Sequence, residues 1–311
     1  MFLVFFVYII LLPLYLNAYE EKSYFDKYGN PSVFSGYLSD YEGDSNLKID
    51  NETYKATGAD ERIKSIILHY TATDDEVGKR SLVFGDVSSH YLITSLADDP
   101  IYSLVEPNGR SWHAGLSSFY GRENLNDTSI GIEIVNMGME KVANSPPISV
   151  FFRPIEEYIP YSDHQIKKVA YLLTNLINQY GIDPKFILGH SDIAPSRKFD
   201  PGPKFPWEFL YREYNIGAWY NEKDKVEFLK KYSDEEFALV SPKEIKIELF
   251  KYGYNINLND QWDESSKRVL YAFQCHFNPD NITGEIDKET YAILLALNKK
   301  YSTRKVPDSI K

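Results

Sequence analysis

The sequence predicts an α/β protein: a central β-sheet flanked by helices, followed by a small C-terminal bundle of three helices. Three observations carry this. Short, apolar, β-rich runs recur at residues 65–72, 129–136 and 187–190, at lengths suited to buried strands. A helical period through Ile166, Val169, Ala170, Leu173, Leu176, Ile177 and Tyr180 feeds directly into the last of these runs, giving a helix-to-strand unit. Beyond Ser241, three short helical patterns follow one another, and no ionisable cluster interrupts them.

Size and composition narrow the class further. A chain of 311 residues accommodates one sizeable core and a smaller module, since single domains run to about 100–200 residues. Hydrophobic residues at 43% and charged residues at 25% are those of a folded globular protein rather than a disordered one. A formal net charge of -11 argues against nucleic acid as the main partner, because phosphate binding needs clustered Lys and Arg. The single cysteine, Cys275, rules out an intramolecular disulfide and reads as a small buried apolar residue.

Residues 1–18 contain no charged side chain, and an apolar run from Phe2 to Leu12 is closed by Pro13. This stretch is read as a secretory signal peptide cut after Ala18, which makes the protein exported: periplasmic, associated with the cell envelope, or secreted. An uncleaved membrane anchor is the alternative, since no Lys or Arg precedes the run and Leu16 stands where a small residue is expected. Residues 19–62 are polar, without sustained period, and are expected to form an extended N-terminal arm. Asn51, Asn126 and Asn281 each open a glycosylation triplet.

The run at 65–72 delivers His69 near its end, and the run at 187–190 ends in His190. Two buried strands of this kind can place both imidazoles on one edge of a sheet, as a metal site requires; the bland alternative for each is a hydrogen-bonded packing residue. A Pro-rich loop after His190 carries Lys198 and Asp200, a nearby cation and a loop ligand. Residues 87–93 read as another strand, with His90 a weaker metal candidate and 101–105 its hairpin mate. Trp112 and His113 stand before Gly115 in a loop of the kind that lines clefts, with packing an equal reading for Trp112. In the run 129–136, Ile130, Ile132 and Ile134 alternate with Gly131, Glu133 and Val135. Glu133 is therefore a carboxylate in an apolar strand, expensive to bury without a cation, a metal or a catalytic duty.

A loop rich in Pro and Asn runs from Met137 to Tyr161, long enough to be an insertion at the rim of a cleft. Ser162 and Gln165 form a capping box for a helix that stops at Gly181, with His164 in its first turn facing solvent. Residues 221–240 read as a linker or connecting helix. In the second module Ser241 caps a helix with Pro242 in first position, Glu244 closing the box and Gly253 as the stop. A second helix covers about 264–276 with Val269, Leu270 and Phe273 inward, and a third follows Asp287.

The motifs His69-Tyr-Thr-Ala, Ser89-His-Tyr-Leu-Ile, Trp112-His-Ala-Gly, Ser129-Ile-Gly-Ile-Glu-Ile and, most specifically, His190-Ser-Asp-Ile-Ala-Pro-Ser-Arg-Lys-Phe-Asp-Pro-Gly-Pro span roughly residues 62–207. In them the chain resembles the zinc-dependent N-acetylmuramoyl-L-alanine amidases of the type 2 family, relatives of phage amidase-lysozymes and animal peptidoglycan recognition proteins. It is similar to the exported, broad-specificity branch, in which a small peptidoglycan-binding bundle follows the catalytic domain. Tyr252-Gly, Phe273-Gln274 and Thr283-Gly-Glu-Ile-Asp287-Lys-Glu-Thr290 match that bundle more loosely. The lipid-anchor cysteine of some members is missing here, so the resemblance does not extend to outer-membrane anchoring.

The resemblance implies a central mixed sheet and a domain plan: catalytic domain 63–220, linker 221–240, peptidoglycan-binding-like helical domain 241–301 and tail 302–311. It implies one zinc ion per catalytic domain, held by His69, His190 and Asp200 with a fourth position open for water. Glu133 would be the general base and then the acid toward the leaving amine, and Lys198 would stabilise the oxyanion. Trp112, His113 and Asn126 are candidates for the substrate groove. The implied partners are peptidoglycan and muropeptides, cut by a monomer at the amide between muramic acid and L-alanine, with membrane contact only through an uncleaved N-terminal segment. Two alternatives stay open: a recognition protein that binds peptidoglycan without cutting it, and a zinc peptidase that cuts within the stem peptide.

Overall fold

The computed structural model describes residues 60–140 and 152–306, together with 57–58 and the two short segments Tyr24–Phe25 and Pro31–Ser32. The expected signal segment 1–18, most of the arm 19–62 including Asn51, the middle of the Pro- and Asn-rich loop and the last five residues of the tail lie outside the described residues. The chain divides into two compact units, 1–60 and 61–311. In the first, Tyr24–Phe25 pairs antiparallel with Pro31–Ser32.

The second unit is built on a five-stranded sheet. Its strands are β1 (Ser65–Tyr70), β2 (Tyr91–Ile93), β3 (Tyr102–Ser103), β4 (Ser129–Ile134) and β5 (Ile187–Gly189), in spatial order β3-β2-β4-β1-β5. β4 and β5 flank β1 in parallel and β2 runs parallel to β4, while β3 alone is antiparallel, so the sheet is mixed as expected. The central strands are apolar on both faces because both are covered, which explains why they read as continuous runs and not as alternations. Ile66, Ile67, Leu68, Ile130, Ile132 and Ile134 have no exposed surface.

Between β1 and β2 lies α1 (Asp75–Phe84), capped by Asp74, whose side chain accepts from the Val77 N–H. α2 (Asp163–Tyr180) carries the Ser162–Gln165 capping box and ends on Gly181 in the left-handed region, φ 61°, where glycine is the least strained residue. Its buried face presents Ile166, Val169, Leu173 and Leu176 to the core. His164 departs from the expectation of a solvent-facing residue: it is half-buried, with Nε2 2.8 Å from the Ser95 carbonyl.

The strand expected at 87–93 shrinks to β2, and His90 falls just before it. The Ser89 hydroxyl donates to the Tyr91 carbonyl, and the Ser88 N–H donates to Trp112 O instead of a ladder partner. Such side-chain and loop bonds compete with strand pairing, which the apolar pattern does not register.

After the single helical turn α3 (His190–Ile193) come α4 (Trp207–Tyr214), α5 (Glu222–Lys231) and the turn α6 (Asp234–Phe237). Of the two readings of 221–240, linker or connecting helix, the segment takes the helical one, and Lys299 ties it down through Asp224 at 2.7 Å and Glu227 at 3.0 Å. The bundle consists of α7 (Pro242–Tyr252), α8 (Glu264–Phe277) and α9 (Lys288–Tyr301), the last two capped by Asp263 and Asp287. Its apolar side chains, among them Leu249, Phe273 and Leu297, join those of the sheet in one continuous core. Cys275 is buried and unpaired. Among the described residues no helix is long and apolar enough to cross a membrane.

Candidate metal centre

Three adjacent parallel strands, β4, β1 and β5, end at the same edge of the sheet, which is where open α/β sheets bind their ligands. His69 stands near the end of β1 and pairs in register with Glu133 of β4, so the two side chains share one face. His190 follows β5 immediately and opens α3. The loop after it returns Asp200 to the same edge, where the Asp200 carbonyl accepts from the Ser191 N–H at 2.9 Å. Gly189 permits this return: a Cβ there would stand 2.6 Å from Pro201 Cδ.

His69 Nδ1, His190 Nδ1 and Asp200 Oδ2 converge to within 2.9–3.0 Å of one another, all on buried residues. The hydrogen bonds on the outer side of each ring decide which nitrogens carry protons. His190 Nε2 lies 3.1 Å from the Ala114 carbonyl, which can only accept, so the proton is on Nε2 and Nδ1 is bare. For His69 the chain is longer. The Ser129 hydroxyl donates to Leu125 O at 2.5 Å, so toward His113 Nε2, at 3.1 Å, it accepts. His113 then holds its proton on Nε2 and offers a bare Nδ1 to His69 Nε2–H at 3.0 Å, leaving His69 Nδ1 bare as well.

Two nitrogen lone pairs and a carboxylate oxygen thus face one another at contact distance, and something positive must sit among them. A proton is a poor fit, because burial and the neighbouring His190 lower the His69 pKa to about 4. Burial opposes ionisation of Asp200, but the facing imidazoles more than offset it and hold the carboxyl well below its usual range. A dication suits this set: two neutral imidazoles and one carboxylate, each imidazole anchored through its far nitrogen, are the donors of a catalytic zinc site.

Glu133 borders the cluster. Its Oε2 is buried and has no hydrogen-bond partner among the described residues, and its pKa is raised to about 8 by burial first and the Asp200 charge second. Lys198, half-buried on the returning loop, acts in the opposite direction on Glu133. Arg197 fastens that loop to the strand-linking segment above it, donating to Ala114 O at 2.5 Å and Leu116 O at 2.7 Å.

The other candidates fall in different places. His113 is 7% exposed and lies behind His69, against Gly131, where a Cβ would stand 2.3 Å from His113 Cγ. Asn126 is also buried; its Oδ1 accepts from the His113 and Ala114 N–H groups, so it shapes this loop and is closed to glycosylation. Trp112 is 55% exposed, with the Arg110 guanidinium 4.2 Å from its ring centre. His90 is taken up by the sheet, Nδ1 accepting from Gly131 N–H at 2.9 Å, and is no part of the cluster. Tyr161 donates to Pro201 O at 2.8 Å, and nothing local distinguishes it in the sequence among 25 tyrosines.

The chain is similar to known proteins. Residues 59–203 match the family model described as N-acetylmuramoyl-L-alanine amidase, and 241–294 match that of a putative peptidoglycan binding domain. N-acetylmuramoyl-L-alanine amidase AmiD of Escherichia coli K12 is 36% identical over 252 residues, 79% of this chain and 86% of that protein. 1,6-anhydro-N-acetylmuramyl-L-alanine amidase AmpD of Enterobacter cloacae is 38% identical over 110 residues, 35% of this chain and 49% of its own length. Among solved structures, AmpDh3 from Pseudomonas aeruginosa superposes with a TM-score of 0.72 at 38% identity, covering 82% of this chain and 99% of that one. The complex of E. coli AmiD with the substrate anhydro-N-acetylmuramic acid-L-Ala-D-gamma-Glu-L-Lys gives 0.70 at 35% identity, covering 81% and 97%.

Proposed function

The chain belongs to the N-acetylmuramoyl-L-alanine amidase family, and from that premise we propose that it works with one zinc ion held by His69 Nδ1, His190 Nδ1 and Asp200 Oδ2. The reaction is hydrolysis of the amide between N-acetylmuramic acid and L-alanine in muropeptides. The observation that supports the zinc assignment is the convergence of two bare imidazole nitrogens, each ring fixed by a hydrogen bond at its far nitrogen, with the Asp200 carboxylate.

Zinc, when bound, supplies a Lewis acid that makes water nucleophilic at neutral pH and polarises the scissile carbonyl. Glu133 takes the proton of the attacking water on its unpartnered Oε2 and delivers it to the leaving amine. Lys198 stabilises the negative charge that develops on the carbonyl oxygen, a contribution typically worth about 10²-fold in kcat. His113 and Ser129 hold the His69 proton on Nε2. Trp112, exposed at the rim, contacts the glycan or peptide flanking the cut bond.

We assign 63–220 to catalysis and 241–301 to peptidoglycan binding, with 221–240 as the helical connection. We place the protein in the periplasm or cell envelope, in keeping with a peptidoglycan substrate and with the apolar stretch at 1–18. Metal analysis and reconstitution test the zinc assignment. Purified protein is expected to carry one zinc per chain, to lose muropeptide hydrolysis on chelation and to regain it on zinc addition. Full activity in metal-free protein would refute it.

A further inference from the structure

Asp192 is two residues beyond His190 and is 1% exposed, yet it is not among the converging donors. Its carboxylate accepts three hydrogen bonds. Oδ2 takes the Gly189 N–H at 2.8 Å, directly before His190, and faces His276 Nδ1 at 2.8 Å. Oδ1 takes the Tyr254 hydroxyl at 2.6 Å. Two of the three donors, Tyr254 after α7 and His276 on α8, come from the C-terminal module.

His276 is itself fixed. Its ring stacks on Trp207, the first residue of α4, with centroids 3.8 Å apart, and its Nε2 has no hydrogen-bond partner among the described residues. The Nδ1 contact to Asp192 is therefore the polar anchor of the ring. Elsewhere along α8, Arg268 Nη1 donates to Ser196 O at 2.8 Å. The Tyr271 hydroxyl lies 2.9 Å from that of Tyr158, whose ring closes over Gly202. The module thus bears on the metal loop at Asp192 and Ser196 directly and at Gly202 through Tyr158, on both sides of Lys198 and Asp200.

We infer that the C-terminal module positions the metal-binding loop, with Tyr254 and His276 holding Asp192, and Asp192 fixing the backbone that presents His190. A peptidoglycan-binding bundle needs no buried hydrogen bonds into a catalytic loop in order to bind peptidoglycan. A buried carboxylate losing one of its donors must reorient or take up water, and either change is passed to the Gly189 N–H. Tyr254 and His276 are positioning residues acting through Asp192. The inference rests on the zinc site proposed above.

The test uses the full-length chain and the variants Tyr254→Phe, His276→Phe and His276→Asn. Zinc affinity is measured by competition with a chelating dye, and the ligand field is read from the visible spectrum after cobalt substitution. Tyr254→Phe and His276→Phe, which keep the aromatic packing, are expected to weaken zinc binding about tenfold and to shift the cobalt bands. His276→Asn, which can keep an N–H donor toward Asp192, is expected to recover part of the affinity. Wild-type affinity and spectrum in Tyr254→Phe, even with a lowered Tm, would show that the contact only glues the modules together and would overturn the inference. If His276→Phe does not fold, Tyr254→Phe decides alone. Failure of the wild-type protein to bind zinc would instead overturn the metal assignment, and this inference with it.

Discussion

Asp200, Lys198 and Glu133 lie within one small volume, but their physical situations differ. Asp200 is buried against two imidazoles, Lys198 is half-buried on the loop, and Glu133 keeps a buried oxygen without a partner. Substitutions at the three should therefore separate. Asp200→Ala removes a donor and is expected to abolish zinc retention, measured by metal analysis after gel filtration. Lys198→Ala is expected to keep one zinc per chain and lower kcat about 10²-fold. Glu133→Gln keeps zinc and loses about 10²- to 10⁴-fold in kcat, seen in single-turnover assays. Equal zinc loss in all three would mean that they act as one structural unit. Gly131→Ala tests the proton chain behind His69, because the new methyl group meets the His113 ring; weaker zinc binding with an intact fold is the expected outcome. The convergence of His69 and His190 could be anticipated, since each stands at the end of a short apolar run, and Asp200 joined them as a candidate on the Pro-rich loop that follows His190. The positions of His113 and Asn126 could not, because what faces them is set by pairings across the sheet and not by their own neighbours in sequence.

At the level of elements, α2 and the three helices of the bundle were legible where a cap stands before a sustained apolar period, whereas α1, capped by Asp74 but buried at few positions, was not. Ser162, Ser241, Asp263 and Asp287 each stand where a helix begins, because capping is decided within four residues of chain. Ser241→Ala is expected to lower stability by about 1 kcal/mol in urea unfolding, as the Glu244 N–H loses its acceptor. The short strand β2 and the docking of the connecting helix at 222–231 depend instead on distant partners, Trp112 for the one and α9 for the other. The burial of Lys246 is illegible in the sequence for the same reason. It is fully buried in α7 and donates to Asn257 Oδ1 and Asn259 Oδ1, each at 2.8 Å, and to the Gln261 carbonyl. Lys246→Met would strand these acceptors and is expected to cost about 1–3 kcal/mol, with faster amide exchange at 257–261.

In the molecule as a whole, the sheet supplies a rigid edge and the C-terminal module closes over the loop that completes the site. The two share one apolar core, so the border near residue 241, visible as a change of pattern, is not a gap in packing. The shared core is not legible in the sequence, because interface residues such as Tyr254, His276 and Trp207 look like ordinary core aromatics when read along the chain. On the function proposed above, the whole arrangement serves one chemical act, cleavage of the bond between muramic acid and L-alanine, with zinc and Glu133 as its agents. Mass spectrometry of purified muropeptides after incubation with the zinc-loaded full-length protein tests this most directly. Free stem peptides beginning with L-alanine, together with peptide-free sugar, are the predicted products, and Glu133→Gln should yield neither. Intact muropeptides, or fragments cut inside the stem peptide, would contradict it.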